Sequence, residues 1–416
     1  MKNTRIPNKI ENIFNTVNQN LPLIPFNSIQ INKSEIEQIL LDIENKQRSN
    51  LFGWRGQFSP QLIETLLERY TAQNSVVIDP FLGSGTVLYE CARKGLSAFG
   101  NEINPSAYYM SKIYELCIFD AEQRIELLRQ LDRKLLKILE TNKPIDSLLD
   151  AIKSNSEIDS NIFSLLIVLM DLFKNNFSFK LVLEKWGKIK SNISELPFSN
   201  KTISAQLGDA RYLNIDDNTA DLILTSPPYI NVFNYHQEYR RSVEVLGFDV
   251  LKIAKCEVGS NRKNRGNRFL TVIQYCLDMT LAINEMIRVL KPKSRIILVV
   301  GRESNVLKES FCNSEIIYDI ACGIFGLTLL LRQDRCFKNK FGQIIYEDIL
   351  HFSNTNPSNF FNEDNLINIS RQISVNALNN KLLKVDTCAS NKLLLSTAIE
   401  QANLVNPSEK LKGISK

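Results

Sequence analysis

Apolar runs and helical stripes alternate through two long stretches of this 416-residue chain. "SVVID" (75–79) is a continuous apolar run, the pattern of a strand buried on both faces. A glycine turn follows it, then a helix predicted from Thr86 that stops at Gly95. "SAFGNEI" (97–103) reads as a second strand, and Pro105 opens another helix. The rhythm resumes with "DLILTS" (221–226), a helix over 269–290 and "SRIILVVG" (294–301). "LTLLLRQD" and "IIYEDILHF", joined by a short Lys/Asn/Gly link, predict an antiparallel pair. Upstream, "QFSPQLIETLLERY" predicts a helix with Ser59 as its cap, Pro60 in first position and an apolar stripe of Leu62, Ile63, Leu66 and Leu67. Strands interleaved with helices predict an α/β fold: a doubly wound, mostly parallel sheet ending in an antiparallel pair.

Two regions fall outside this rhythm. Residues 118–200 are helical in period and highly charged, too long for a simple crossover, and are read as a helical insertion. Residues 354–416 are Asn- and Ser-rich with only weak helical signals. The expected organisation is a polar extension over 1–50 with a helix near 33–45, a first half of the core over 51–117, and the insertion. The second half of the core over 201–353 and a C-terminal extension follow.

Composition narrows the setting more than the chemistry. A hydrophobic content of 44% with 23% charged residues is that of an ordinary globular protein. A net charge of +5 permits a polyanionic partner without demanding one. Eight scattered cysteines without a C-x-x-C pair, and two histidines, argue against a zinc site or a disulfide framework. The first residues lack a signal peptide's apolar core, and "IFSLLIVLMDLF" (162–173) is too short for a membrane span. The expectation is a reduced interior, by default a bacterial cytoplasm, with no metal.

"VIDPFLGSGT" (77–86) places Asp79 at a strand end, then Pro80 and Phe81, then Gly83, Ser84, Gly85 and Thr86 leading into a helix. Glycines there allow positive φ and close approach of a ligand to the backbone. Nineteen residues after Gly83 comes Glu102, at the end of the second strand. A carboxylate at that place in a βαβ unit accepts hydrogen bonds from ribose hydroxyls. Position 88 is leucine, so no full dinucleotide glycine set is present, and a P-loop lysine is missing too. A ligand with an adenosine and no pyrophosphate fits, and S-adenosylmethionine is such a ligand.

"TSPPY" (225–229) ends a core strand in a stiff hook. The amine of cytosine or adenine is a poor nucleophile, because its lone pair is delocalised into the ring. Rigid acceptors on its hydrogens draw it toward tetrahedral geometry. The Ser226 hydroxyl or carbonyl and the Pro227 carbonyl are such acceptors, and Pro227 and Pro228 lock the backbone that carries them. Tyr229 offers a face for a base taken out of its helix.

These two motifs resemble those of the S-adenosylmethionine-dependent DNA amino-methyltransferases, with "DPFLGSGT" as cofactor motif and "TSPPY" as catalytic motif. The resemblance spans roughly residues 50–120 and 200–350 and implies their Rossmann-like methyltransferase sheet. It implies that "FGWRGQFSPQLIETLL" helps hold the methionine end and that Asp209 of "GDAR" lies near the adenine, while Trp54 and Arg55 in "FGWRG" are read either as packing before a helix or as lying at the cofactor's edge. It also implies double-stranded DNA as substrate and a cognate restriction endonuclease as a possible partner. Serine before the prolines is most typical of the cytosine-N4 branch. In that branch the catalytic motif commonly comes first, whereas here the cofactor motif does, so adenine-N6 methylation stays open. An RNA guanine-amine methyltransferase and a catalytically silent binding module are weaker alternatives.

Beyond the hook, the stretch 252–268 reads as a basic loop with Lys255, Arg262, Lys263, Arg265 and Arg268 as expected DNA contacts. Tyr235, Phe233 and Tyr239 are expected near the base pocket, and His236 is either a pocket or a surface residue.

Overall fold

The computed structural model describes residues 23–172, 174–230, 234–260, 264–339, 342–354, 362–384 and 389–411. A seven-stranded sheet runs in the order β3-β2-β1-β4-β5-β9-β8. Its strands are β1 (Val76–Asp79), β2 (Ser97–Glu102), β3 (Ile203–Leu207), β4 (Ala220–Thr225), β5 (Leu290–Gly301), β8 (Thr328–Lys338) and β9 (Ile344–Ser353). Strands β1 to β5 pair in parallel, and β9 runs antiparallel to both β5 and β8. A separate ribbon pairs β6 (Glu303–Val306) with β7 (Glu309–Cys312). The doubly wound sheet with an antiparallel end is the expected one.

Alternate residues of each central strand enter opposite layers, as the period of two requires. Val77, Leu222, Leu224 and Ile297 join one apolar core, and Ile78, Ile223, Ile296 and Leu298 join the other. The first core holds the helices Pro60–Tyr70 and Thr86–Lys94 and the helices of the insertion, whose Leu131, Phe163, Trp186 and Ile189 merge with it. The second holds the helix Leu270–Val289 and the C-terminal helices.

Local chemistry accounts for several boundaries. The insertion's first helix, Ala121–Leu139, opens with a capping box in which Asp120 and Gln123 exchange side-chain and backbone bonds. The helix expected over 33–45 shrinks to Gln38–Asp42: Asn32 Oδ1 takes the N–H groups of Ser34 and Glu35 into a turn, and Ile43 adopts φ 53°. Ser59 sits at its helix start, but its hydroxyl makes no capping bond. Lys255 lies on a short helix, Val250–Cys256, rather than in a loop, with Asp249 Oδ1 capping it.

No described helix is long and apolar enough to cross a membrane.

Candidate active site

The sheet reverses its winding between β1 and β4, which lie side by side with Val77 opposite Leu222 and Ile78 opposite Ile223. Ligands of open α/β sheets bind outside the carboxyl ends of strands at such a point. Both motifs lie there. Asp79 ends β1, Thr225 ends β4, and Asp79 Oδ1 accepts the Thr225 hydroxyl at 2.5 Å and the Phe81 N–H at 3.1 Å. Burial pushes the Asp79 carboxyl up to about 7 against the pull of these two donors.

The glycine turn is built for close approach. Gly83 and Gly85 have φ 55° and 89°, and a Cβ on Gly83 would meet the Trp54 ring at 3.3 Å. The Gly83 N–H donates to Glu102 Oε2 and the Asn104 N–H to Oε1, each at 2.7 Å. Each carboxylate oxygen therefore keeps a lone pair for another donor. Burial raises the Glu102 carboxyl to about 7, with Asp79 and Glu257 adding to the rise. Gln57 Oε1 receives both the Ser84 hydroxyl and the Trp54 N–H, and Thr86 donates to Asn50 Oδ1 at 2.8 Å. These bonds fold the "FGWRGQ" segment over the turn.

The resulting first cleft encloses about 830 Å³ including its mouth. Pro80, Phe81, Gly83, Ser84, Thr86, Glu102 and Asp209 line it, with Trp54, Tyr235, Ser226 and Pro228 on the facing side. Tyr235 stacks on Trp54 at 6.0 Å between centroids and 14° between planes. Asn104 fixes that segment by donating to the Tyr235 carbonyl at 3.0 Å. His236 is buried, with Nδ1 2.8 Å from Glu257 Oε2, so it is neither surface nor cleft lining.

A second, wider cleft of about 1960 Å³ including its mouth adjoins the first. Gly56, Gln57, Phe58 and Ser226 line both. Its remaining walls come from 42–60 and from the β8–β9 hairpin, including Arg335, Lys338 and Glu347.

Several expected residues sit elsewhere or face another way. Asp209 reaches the first cleft, yet its carboxylate is turned inward onto Arg211 and the Leu411 N–H. Tyr229 lines neither cleft as described. Its ring lies against Gly301, where a Cβ would come within 2.5 Å, and its hydroxyl donates to Glu347 Oε1 at 3.0 Å. Burial, then the Glu347 charge, hold that phenol well above its ordinary range, while a hydrogen bond with Ser226 opposes them. Lys255 and Arg265 line a separate recess with Ser408 and Glu409, and Arg268 is exposed without lining a cleft. Arg262, Lys263 and Phe233 lie outside the described residues. Tyr239 takes φ 54° beside the insertion, with Lys174 over its ring.

Sequence reasoning missed Gln57, Arg335 and Glu347. For the last the signal was present: two acids, Glu347 and Asp348, interrupt an otherwise apolar strand.

Residues 8–113 match the family model described as DNA methylase. The type II methyltransferase M.MjaII of Methanocaldococcus jannaschii is 22% identical over 403 residues, 65% of this chain and 75% of that protein. M.BsoBI of Geobacillus stearothermophilus, also a type II methyltransferase, is 21% identical over 297 residues, half of this chain and 55% of that one. The chain is thus similar to DNA methylases over its N-terminal quarter and, at low identity, to type II methyltransferases over half or more of its length. An S-adenosylmethionine-dependent methyltransferase from Methanosarcina mazei superposes on 69% of this chain and 96% of its own, at TM-score 0.33 and 12% identity.

S-adenosylmethionine is the ligand that the motifs imply for this site. The first cleft suits it on two counts. Glu102 keeps a free lone pair on each oxygen for a ribose diol. The apolar walls of Phe81, Ile103, Ala210 and Val258 suit an adenine ring.

Proposed function

We propose that this protein is a DNA methylase that transfers a methyl group to the N4 amine of cytosine in double-stranded DNA, with the base taken out of the helix into the second cleft. The observation that carries this reading is the place of Ser226. It is the catalytic-motif residue shared by the cofactor cleft and the wider one, so an amine held at Ser226 would face the methyl donor. S-adenosylmethionine supplies an electrophilic methyl on a sulfonium. The protein's part is orientation. Ser226 and the Pro227 carbonyl accept the amine's hydrogens, the two prolines keep these acceptors fixed, and the apolar walls exclude water.

The Asp79–Thr225 bond keeps donor and acceptor sites in register across β1 and β4. Lys46 and Lys338, both exposed on the rim of the second cleft, are placed to meet backbone phosphates. Lys255, Arg262, Lys263, Arg265 and Arg268 are proposed as further phosphate contacts. The serine before the prolines favours cytosine over adenine. The type II methyltransferases among its relatives suggest a restriction endonuclease acting on the same sequence as a partner.

Incubation with labelled S-adenosylmethionine and unmethylated genomic DNA, followed by digestion to nucleosides, tests the reading. Label is expected in N4-methyldeoxycytidine, and label confined to N6-methyldeoxyadenosine would overturn it.

A further inference from the structure

Across the three strands at the antiparallel end of the sheet, Gly301, Glu347 and Arg335 stand in one row. Gly301 pairs with Glu347, and Glu347 pairs with Arg335. Gly301 makes room for the Tyr229 ring, and the Tyr229 hydroxyl donates to Glu347 Oε1. On the far side, Arg335 Nε stands 3.6 Å from Glu347 Oε2. A polar chain thus runs from Tyr229 through Glu347 to Arg335, the last two along one wall of the second cleft.

Arg335 is the unusual member. It is 6% exposed, its guanidinium lies 4.7 Å from the Phe337 ring centroid, and its Nε makes no hydrogen bond among the described residues. That Nε is enclosed and turned toward the Glu347 carboxylate, which anchors the guanidinium on one side. Arg335 lines a cleft wide enough for a nucleotide and shared with Ser226, so its two outer nitrogens are the donors that a base entering the cleft would meet.

We propose that Arg335, held by Glu347 and Phe337, reads the target base in the second cleft by donating to the O2 and N3 acceptors of cytosine. This inference rests on the cytosine reading above. Beside its amine, cytosine carries two adjacent acceptors, N3 and O2, which match the two-pronged face of a guanidinium. Adenine carries N1 next to its amine and then a C–H, so one prong would face no acceptor. A buried donor left unpaired by the wrong base is a strong means of rejection. Glu347 acts through Arg335 and Tyr229 as a positioning residue, fixing the guanidinium on one side and the hook on the other.

The test uses duplexes carrying one methylation site mapped by sequencing. The target position holds cytosine or adenine, each opposite an abasic gap so that neither must be unpaired. Affinities are measured by fluorescence anisotropy with S-adenosylhomocysteine present. Wild type is expected to bind the cytosine duplex about tenfold or more tightly than the adenine duplex. Arg335→Met is expected to lose that preference, with affinity for S-adenosylhomocysteine and for a non-site duplex unchanged. A preference retained in Arg335→Met overturns the proposal. So does equal weakening on every duplex with a shallower salt dependence, which marks a phosphate contact. Should Arg335→Met fail to bind S-adenosylhomocysteine, Arg335→Lys decides: charge without the fork is expected to lose most of the preference, and its retention overturns the proposal. Sites mapped to adenine would overturn the cytosine reading itself, whereas sites on cytosine with indifferent Arg335 variants would overturn only this assignment.

Discussion

The Thr225 hydroxyl donates to Asp79 Oδ1 at 2.5 Å, joining the strand end that carries the cofactor motif to the one that carries the hook. Both residues are buried, and 146 positions of sequence separate them. Thr225→Val keeps the shape and removes the donor from a buried carboxyl. A loss of about 1–3 kcal/mol in denaturant unfolding is expected, together with weaker S-adenosylhomocysteine binding by calorimetry. Full retention of both would show the bond to be dispensable.

The carboxyls of Asp79 and Glu102 are each raised to about 7, chiefly by burial. In the unfolded chain they release their protons near pH 4. Between these values the folded protein binds more protons, so the stability these groups lend is complete below about pH 4 and is lost as pH rises through about 7. Ribose hydroxyls favour the ionised Glu102, so cofactor affinity should move the opposite way and rise with pH through about 7. Calorimetric titration of S-adenosylhomocysteine across that window checks this, and in Glu102→Gln the affinity should be lower and the pH slope reduced.

Gly301 has no room for a side chain, since a Cβ would lie 2.5 Å from the Tyr229 ring. Gly301→Ala is expected to cost about 1–3 kcal/mol of stability by overpacking. By displacing the hook it should also lower kcat by roughly a hundredfold. Single-turnover methylation and thermal unfolding measure the two effects separately.

Ser226→Ala removes the proposed acceptor for the amine but touches no group that holds the glycine turn. Its kcat is expected to fall by about a hundredfold or more, while S-adenosylhomocysteine affinity stays within twofold of wild type. The double variant Ser226→Ala, Tyr229→Ala should lose at least as much, and unchanged methylation there would refute the role given to the hook.

Arg211 is fully buried between Asp209 and Asp278 and also donates to the carbonyls of Ser408 and Glu409. Arg211→Met strands two buried carboxylates. A destabilisation of about 3–5 kcal/mol is expected. Limited proteolysis should then cut the segment around 402–411 first.

Much of this architecture was legible because parallel strands buried on both faces are apolar throughout and bounded by glycine or proline. β1, β2, β4 and β5 and both motifs appear on that basis, as do Glu102 and the antiparallel pair. The C-terminal helix Glu363–Leu382 was not legible, because its buried face includes Ser370 and Ser374. Ser370 is bonded to Thr280, so hydroxyls replace the apolar stripe that a periodicity search needs. β3 was missed because "ISAQL" carries little apolar weight and is an edge strand. The orientation of Asp209 was beyond reach, since the groups that turn it lie two residues and some two hundred residues away. The Arg335–Glu347 wall was hidden for a similar reason, because a register between strands, and not a local motif, makes it.

β1 and β4 are neighbours and run the same way, although the chain leaves the sheet for a helical insertion and returns through β3 before forming β4. A duplex arriving at their carboxyl ends meets two adjacent rims and has no means of sensing which was synthesised first. Cutting this chain between the motifs and rejoining its ends elsewhere would present the same surface to DNA. On the proposed reading, the order of cofactor motif and hook along the polypeptide leaves that surface unchanged, and the choice of base falls to the side chains that border the cleft.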